Sequence, residues 1–329
     1  MTRLGVLDGW RGISILLVLA GHLLPIGPKA WELNATVAAT GMAVFFQLSG
    51  FLITSVLIRN DHVGEFLIHR VMRIVPLAWL ATLVTLLALG SSAPVILAHL
   101  FFYANKAPMA LTPATAHFWS LCVEVQFYAF VAAIVLIGGR KALFALPLCA
   151  LAITALRVWC DRPMAINTEF RVDEILAGCT LALAFHYRPA WFEARAIRFL
   201  PFIAAPLLLL SATPTAGAID YARPYFATLL IGATLAPATV GWLQRLLNSG
   251  VLRYLALISY ALYIVHGCLM GSWLNDGDTK VKYLKRPLFF VLTFGLAHLS
   301  TRYYESRFIA LGRRWVDALR ARRAASARA

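Results

Sequence analysis

Apolar runs long enough to cross a bilayer recur along almost the whole chain, and this recurrence constrains the fold more than any single motif. Inside lipid, such a run must satisfy its own backbone polar groups, so each reads as a helix. Hydropathy places ten of them near residues 12–28, 37–57, 74–90, 118–138, 142–158, 172–187, 198–213, 221–241, 253–272 and 286–309. A further apolar piece at 94–103 is about ten residues long, too short to cross, and reads as a re-entrant or interfacial helix. The expected architecture is an all-α integral membrane protein with about ten transmembrane helices. Residues 1–311 form one membrane domain and 312–329 a basic cytoplasmic tail.

Composition excludes a soluble enzyme: 60% of the 329 residues are hydrophobic and 14% charged, against about 25% charged in soluble domains. The formal net charge of +15 would suggest nucleic acid in a soluble protein, but here it fits positive-inside loops and no nucleic-acid partner is expected. With the N-terminus inside, eighteen of the thirty Lys and Arg, Arg3 and Arg328 among them, fall on the inner side and ten outside. Both termini are therefore expected in the cytoplasm. Cys122, Cys149, Cys160, Cys179 and Cys268 are scattered singly, without metal-ligand spacing, and read as apolar filler.

Charged groups within spans cost about 2.5 to 3.5 kcal/mol each on insertion scales, so each marks a functional candidate. Arg11 and His22 stand eleven positions apart, which at 100° per residue puts them on one face to within about 20° and about 16.5 Å apart along the axis. Arg11 is then expected at the cytoplasmic opening and His22 beyond the midplane. Glu124 lies about 9 Å into a span entered at Phe118, and His266 about 19.5 Å up a span rising from Arg253. These depths match that of His22, so the three groups can meet. A second group collects at the inner face: Arg11, Arg70 and Arg73, with Arg302, Glu305 and Arg307 from the last span. Arginine suits bidentate phosphate contacts, so either a polyphosphate ligand or anionic lipid headgroups fit there. His62, His69, His99, His117, His186 and His298 read as interfacial or packing residues.

The same residues sit in six strings, in order along the chain. They are LDGWRG at 7–12 with His22, FFQLSGFLIT from Phe45 to Thr54, RVMRIVP from Arg70 to Pro76, WSLCVEVQFY from Trp119 to Tyr128, RVDEILAG from Arg171 to Gly178, and ISYALYIVH from Ile258 to His266. Together they resemble the integral-membrane acyltransferase 3 family, whose members include bacterial O-antigen, exopolysaccharide and nodulation-factor O-acetylases and macrolide acyltransferases. Two positions depart from the pattern: Val125 replaces a second Glu, and Arg307 stands where a closing Pro is usual.

The resemblance implies an acyl-CoA donor substrate, most simply acetyl-CoA, with no permanently bound cofactor and no metal. It implies a hydroxyl acceptor on a glycan, a lipid-linked saccharide or a small molecule, and a multi-pass location in the bacterial cytoplasmic (inner) membrane among its lipids. Some members carry an appended extracytoplasmic esterase-like domain, so a separate extracytoplasmic transferase is a further possible partner. The expected catalytic set is His22 as general base, Glu124 orienting its imidazole, and Arg11. Arg70, Arg73, Ser49, Gly50 and Phe51 are expected at the donor. Asp8, Trp119, Arg171, Asp173, Tyr260 and His266 are expected to bind acceptor or support the site. Two alternatives stand beside this reading: a proton-coupled transporter or flippase, which needs the same interior His and Glu, and a protein that passes acyl groups across the membrane to a separate transferase.

Overall fold

The structure, a computed structural model, describes residues 4–193, 195–236 and 240–326; Arg3 and Arg328, counted above among the inner charges, lie outside them. All regular structure among the described residues is helical. The α-helices are α1 (Gly5–Leu23), α2 (Leu33–Arg59), α3 (Val63–Ala88), α4 (Ala93–Leu100), α5 (Phe118–Gly138), α6 (Leu146–Trp159) and α7 (Asp173–Tyr187). They continue as α8 (Leu200–Ser211), α9 (Arg223–Leu235), α10 (Gly241–Leu247), α11 (Gly250–Met270), α12 (Thr279–Leu299) and α13 (Ser306–Ser326).

Five segments are long and apolar enough to cross a membrane: α1, α2, α3, the run Phe118–Trp159 containing α5 and α6, and α11. Ten spans were expected. The difference lies mainly in α7, α8 and α9, which at 15, 12 and 13 residues rise only about 18 to 23 Å, short of a hydrocarbon core of about 30 Å. In α12, four basic residues in its first two turns lower the apolarity. The eight-residue α4 matches the short helix expected at 94–103. Beyond residue 312 the chain continues as helix to Ser326, with Val316 buried.

One shift matters for the site. The first span was expected at 12–28, but α1 begins at Gly5 and ends at Leu23, because Pro25 pushes Leu24 out of the helical region and Pro28 follows close behind. His22 therefore stands one residue from the end of its helix, not just beyond mid-membrane.

The long α2 packs against α1 on one side and α7 on the other. Its contact with α7 depends on two glycines: a Cβ on Gly50 would fall 1.9 Å from the Ile175 carbonyl oxygen, and one on Gly178 would fall 2.1 Å from that of Gln47. Backbones in contact at this distance admit no side chain. Gly50, expected at the donor, is thus a helix-contact residue.

At the ends of α6, α7 and α9 a fully buried ion network takes the place of apolar packing. Arg157 donates to Asp173 (2.6 Å), Asp220 (2.7 Å) and the Pro163 carbonyl (2.6 Å), while Arg223 donates to Glu174 (2.7 Å) and Asp220. Arg171 adds a third guanidinium, 3.4 Å from Glu174. Three arginines and three carboxylates balance in charge, which is what makes their burial tolerable. Asp173 belongs to this network. Tyr260 is likewise a tie between helices: its hydroxyl donates to the Ile74 carbonyl at 2.6 Å, near Pro76, which interrupts the backbone ladder of α3.

Candidate active site

His22 in the last turn of α1 opens onto a cavity of about 280 Å³ lined also by His117, Trp119, Arg171, Tyr263 and His266. Its Nδ1 lies 3.1 Å from Nε2 of His266, and the two rings stack with centroids 5.3 Å apart. The Nδ1 of His266 faces the Leu262 carbonyl at 3.1 Å, and a carbonyl only accepts, so that nitrogen carries the proton. With His266 neutral, its Nε2 accepts from Nδ1–H of His22, and the lone pair of His22 resides on Nε2. The His22–His266 pair can accept a proton at one defined atom.

Around this pair the walls are aromatic and cationic. His117, the residue before α5, packs against His266 at 5.6 Å, and its carbonyl accepts from the Tyr263 hydroxyl at 2.6 Å. Trp119 stands edge-on to Phe46, and the Arg171 guanidinium lies 5.4 Å from the centroid of its ring. Arg171 is 3% exposed and its Nε has no hydrogen-bond partner.

Glu124 does not meet His22, contrary to expectation. Its Oε1 accepts from Ser49 and from Tyr128, both at 2.5 Å, and the carboxylate acts electrostatically on Arg11 and Arg73. The shift in α1 explains the difference. His22 and His117 stand at one end of the bundle, and Glu124 is seven residues along α5 from His117, about 10.5 Å farther along the axis. Ser49, expected beside the donor, is Glu124's partner.

The Arg11 end holds a larger cavity of about 540 Å³, whose charged lining is Arg11, Arg59, Arg70, Arg73 and Arg313 with Asp8. Arg11, Arg70, Arg73 and Arg313 form no ion pair among the described residues. Arg70 lies over the rings of Phe66 and Tyr128, 5.7 Å from each centroid. Phe51 also lines this cavity. In the loop after α2, Asp61 accepts from Arg140, which holds that carboxyl below its usual range. The two cavities share no lining residue, and α1 carries Arg11 into one and His22 into the other.

Sequence reading overlooked four participants. His117 and Tyr128 flank or close the WSLCVEVQFY string but were left as packing or as unassigned, and Arg59 and Arg313 counted only as loop and tail charges. Among the described residues no group of three or more His, Cys, Asp or Glu is arranged to hold a metal ion.

The chain belongs to the acyltransferase 3 family: the family's acyltransferase-domain model matches residues 4–301. It is similar to the peptidoglycan O-acetyltransferase OatA of Listeria monocytogenes, 23% identical over 91% of this chain and 55% of that protein. It is also similar to a Staphylococcus aureus protein named "Putative O-acetyltransferase", 25% identical over 92% of this chain and 56% of that protein. The chain thus spans a little over half the length of these curated relatives. No solved structure matches it.

Proposed function

We propose that the chain is a membrane-embedded O-acyltransferase that moves an acyl group, most simply acetyl, from cytoplasmic acyl-CoA to a hydroxyl of a glycan or related acceptor. The observation that carries this reading is the placement of Arg11 and His22. One helix connects a cavity in which Arg11, Arg70, Arg73 and Arg313 form no ion pair among the described residues to a second cavity with an open imidazole, about 16.5 Å away along the axis. A donor with polyphosphate at one end and a thioester at the tip of a long thin arm has this shape and charge distribution. Arginine forks suit the phosphates.

In this reading the Arg11 end faces the cytoplasm, with both termini inside and the remaining apolar helices completing about ten crossings of a bacterial inner membrane. The basic bias of the loops supports that orientation. The acceptor hydroxyl enters the His22 cavity, where Trp119 offers an apolar face for a sugar ring.

His22 Nε2 takes the hydroxyl proton as the oxygen attacks the thioester carbonyl. Arg171 stabilises the oxyanion that develops. Collapse breaks the C–S bond, and the departing thiolate takes the proton from the His22 imidazolium, leaving an ester and free CoA. His266 holds the His22 tautomer. Glu124, held by Ser49 and Tyr128, partly balances Arg11 and Arg73.

The test is a labelled acetyl-CoA assay on purified protein in liposomes, comparing wild type with His22→Ala. Transfer to added glycan acceptors that disappears in His22→Ala, with the variant folded and inserted, is the expected result. Near-wild-type transfer by His22→Ala removes the imidazole from the mechanism. CoA release without acceptor labelling points to acyl delivery to a separate transferase. Absence of CoA turnover across a broad donor and acceptor panel favours a carrier.

A further inference from the structure

We propose that α13 forms part of the donor site and that Arg313 binds the phosphate monoester farthest from the thioester. This inference rests on the acyl-CoA reading above. Arg313 lies beyond the family match, which ends at residue 301. It is one of five arginines from Arg313 to Arg323, in a stretch that by composition alone looks like a solvated tail.

The structure sorts those arginines. Arg320 and Arg323 converge on Glu65 of α3, whose side chain is 3% exposed: Arg320 donates at 2.7 and 3.0 Å, Arg323 at 2.9 Å, and Asn60 adds a fourth bond at 3.0 Å. A carboxylate so enclosed fixes the far end of α13 against α3. One and a half turns earlier Val316 is buried, and Gly312 lets the helices approach until a Cβ there would stand 3.0 Å from Met72 Cβ. The helix is therefore a fixed wall, and Arg313, next to Gly312, lines the 540 Å³ cavity and also an adjoining one of about 290 Å³. Ile309, one turn back on the same face, lines both as well.

Among the described residues Arg313 forms no ion pair, whereas Arg320 and Arg323 on the same helix are paired. Its cavity neighbours Arg70 and Arg73 also form no ion pair among the described residues, and Glu124 acts on Arg73 without bonding it. Arg313 is exposed while Arg11, Arg70 and Arg73 are half-buried, which puts it at the rim. A donor whose thioester leads inward leaves its ribose phosphate monoester at that rim. Such a group carries a charge of roughly −1.5 to −2 and three strong acceptor oxygens, a match for the Arg fork. An anionic lipid headgroup presents the same phosphate chemistry, so the two sources must be separated by experiment.

The experiment measures donor KM and kcat, and equilibrium binding, for the full chain in vesicles of neutral lipid. It uses acetyl-CoA and its dephospho analogue, which lacks only that monoester. Wild type should prefer acetyl-CoA. Arg313→Ala should raise the acetyl-CoA KM about tenfold or more with kcat within about twofold, and should lose the preference between the two donors. Arg313→Lys should recover part of the affinity, since it restores charge without the fork. An unchanged KM and preference in Arg313→Ala overturns the proposal, as does an equal loss on both donors. A defect seen only in vesicles containing anionic lipid also overturns it and assigns Arg313 to headgroups. Arg73→Ala separates the two readings: wild-type binding that is lost in Arg73→Ala but kept in Arg313→Ala sinks only the present inference, whereas a wild type that binds neither donor sinks the acyl-CoA reading as well.

Discussion

Nδ1 of His22 stands 3.1 Å from Nε2 of His266, and the proton on the far nitrogen of His266 is committed to the Leu262 carbonyl. Two helices distant in sequence thus set the tautomer of one imidazole, and the orientation comes from a second histidine where a carboxylate was expected.

His266→Ala should therefore lower kcat for acetyl transfer by about 10²-fold or more while leaving donor KM near wild type, because the base loses its orientation and not its basicity. His266→Gln, whose amide oxygen can accept from His22 Nδ1–H, should retain more activity than His266→Ala. Steady-state kinetics on both variants checks this. A rise in donor KM with kcat intact would place His266 elsewhere.

Glu124 makes a different prediction from the one its sequence position invited. Glu124→Ala leaves the Ser49 and Tyr128 hydroxyls without their acceptor and should cost about 1 to 3 kcal/mol for each buried group left unpaired. Glu124→Gln keeps an acceptor oxygen and should melt near wild type. Donor KM should not rise in Glu124→Gln, since the lost negative charge faces Arg11 and Arg73. Thermal denaturation in detergent, with donor titrations, reads both effects.

Arg157 is 0% exposed and bonds two carboxylates. Arg157→Met should destabilise the protein by about 3 to 5 kcal/mol, because buried Asp173 loses its bonded guanidinium and Asp220 keeps only Arg223, leaving the network one positive charge short. Adding Asp220→Asn should recover part of the loss by removing one of those charges. Failure of the double variant to exceed the single in melting temperature would argue against the pairing.

Gly50→Ala tests whether this glycine serves the donor or the fold. With the Ile175 carbonyl 1.9 Å from the new Cβ, the variant should give a sharply reduced yield of folded protein in size-exclusion chromatography. A well-folded Gly50→Ala protein with an altered donor KM would return the residue to the donor path.

Much of this was legible in the sequence because it depends on local rules. The apolar runs require helices, and eleven positions along one helix place Arg11 and His22 on one face whatever surrounds them. The family resemblance followed from short strings that keep their order, and the family match over residues 4–301 agrees with it. The length of α1 was misread because hydropathy continues past His22, whereas backbone sterics at Pro25 stop the helix there. That error of a few residues moved His22 about a turn relative to the bilayer and made Glu124 look like its neighbour.

The sequence by itself determined the class of protein, its helical backbone and the Arg11–His22 axis, since these follow from composition and the 1.5 Å rise of a single helix. Only the tertiary structure decided which groups from different helices meet. It paired His22 with His266, gave Glu124 to Ser49 and Tyr128, set Gly50 against the Ile175 carbonyl of α7, and folded a basic tail back so that Arg313 lines one cavity with Arg70 and Arg73. Those meetings depend on helix ends, close approaches and crossing positions, set by sterics and buried charge between segments that no spacing within one segment records.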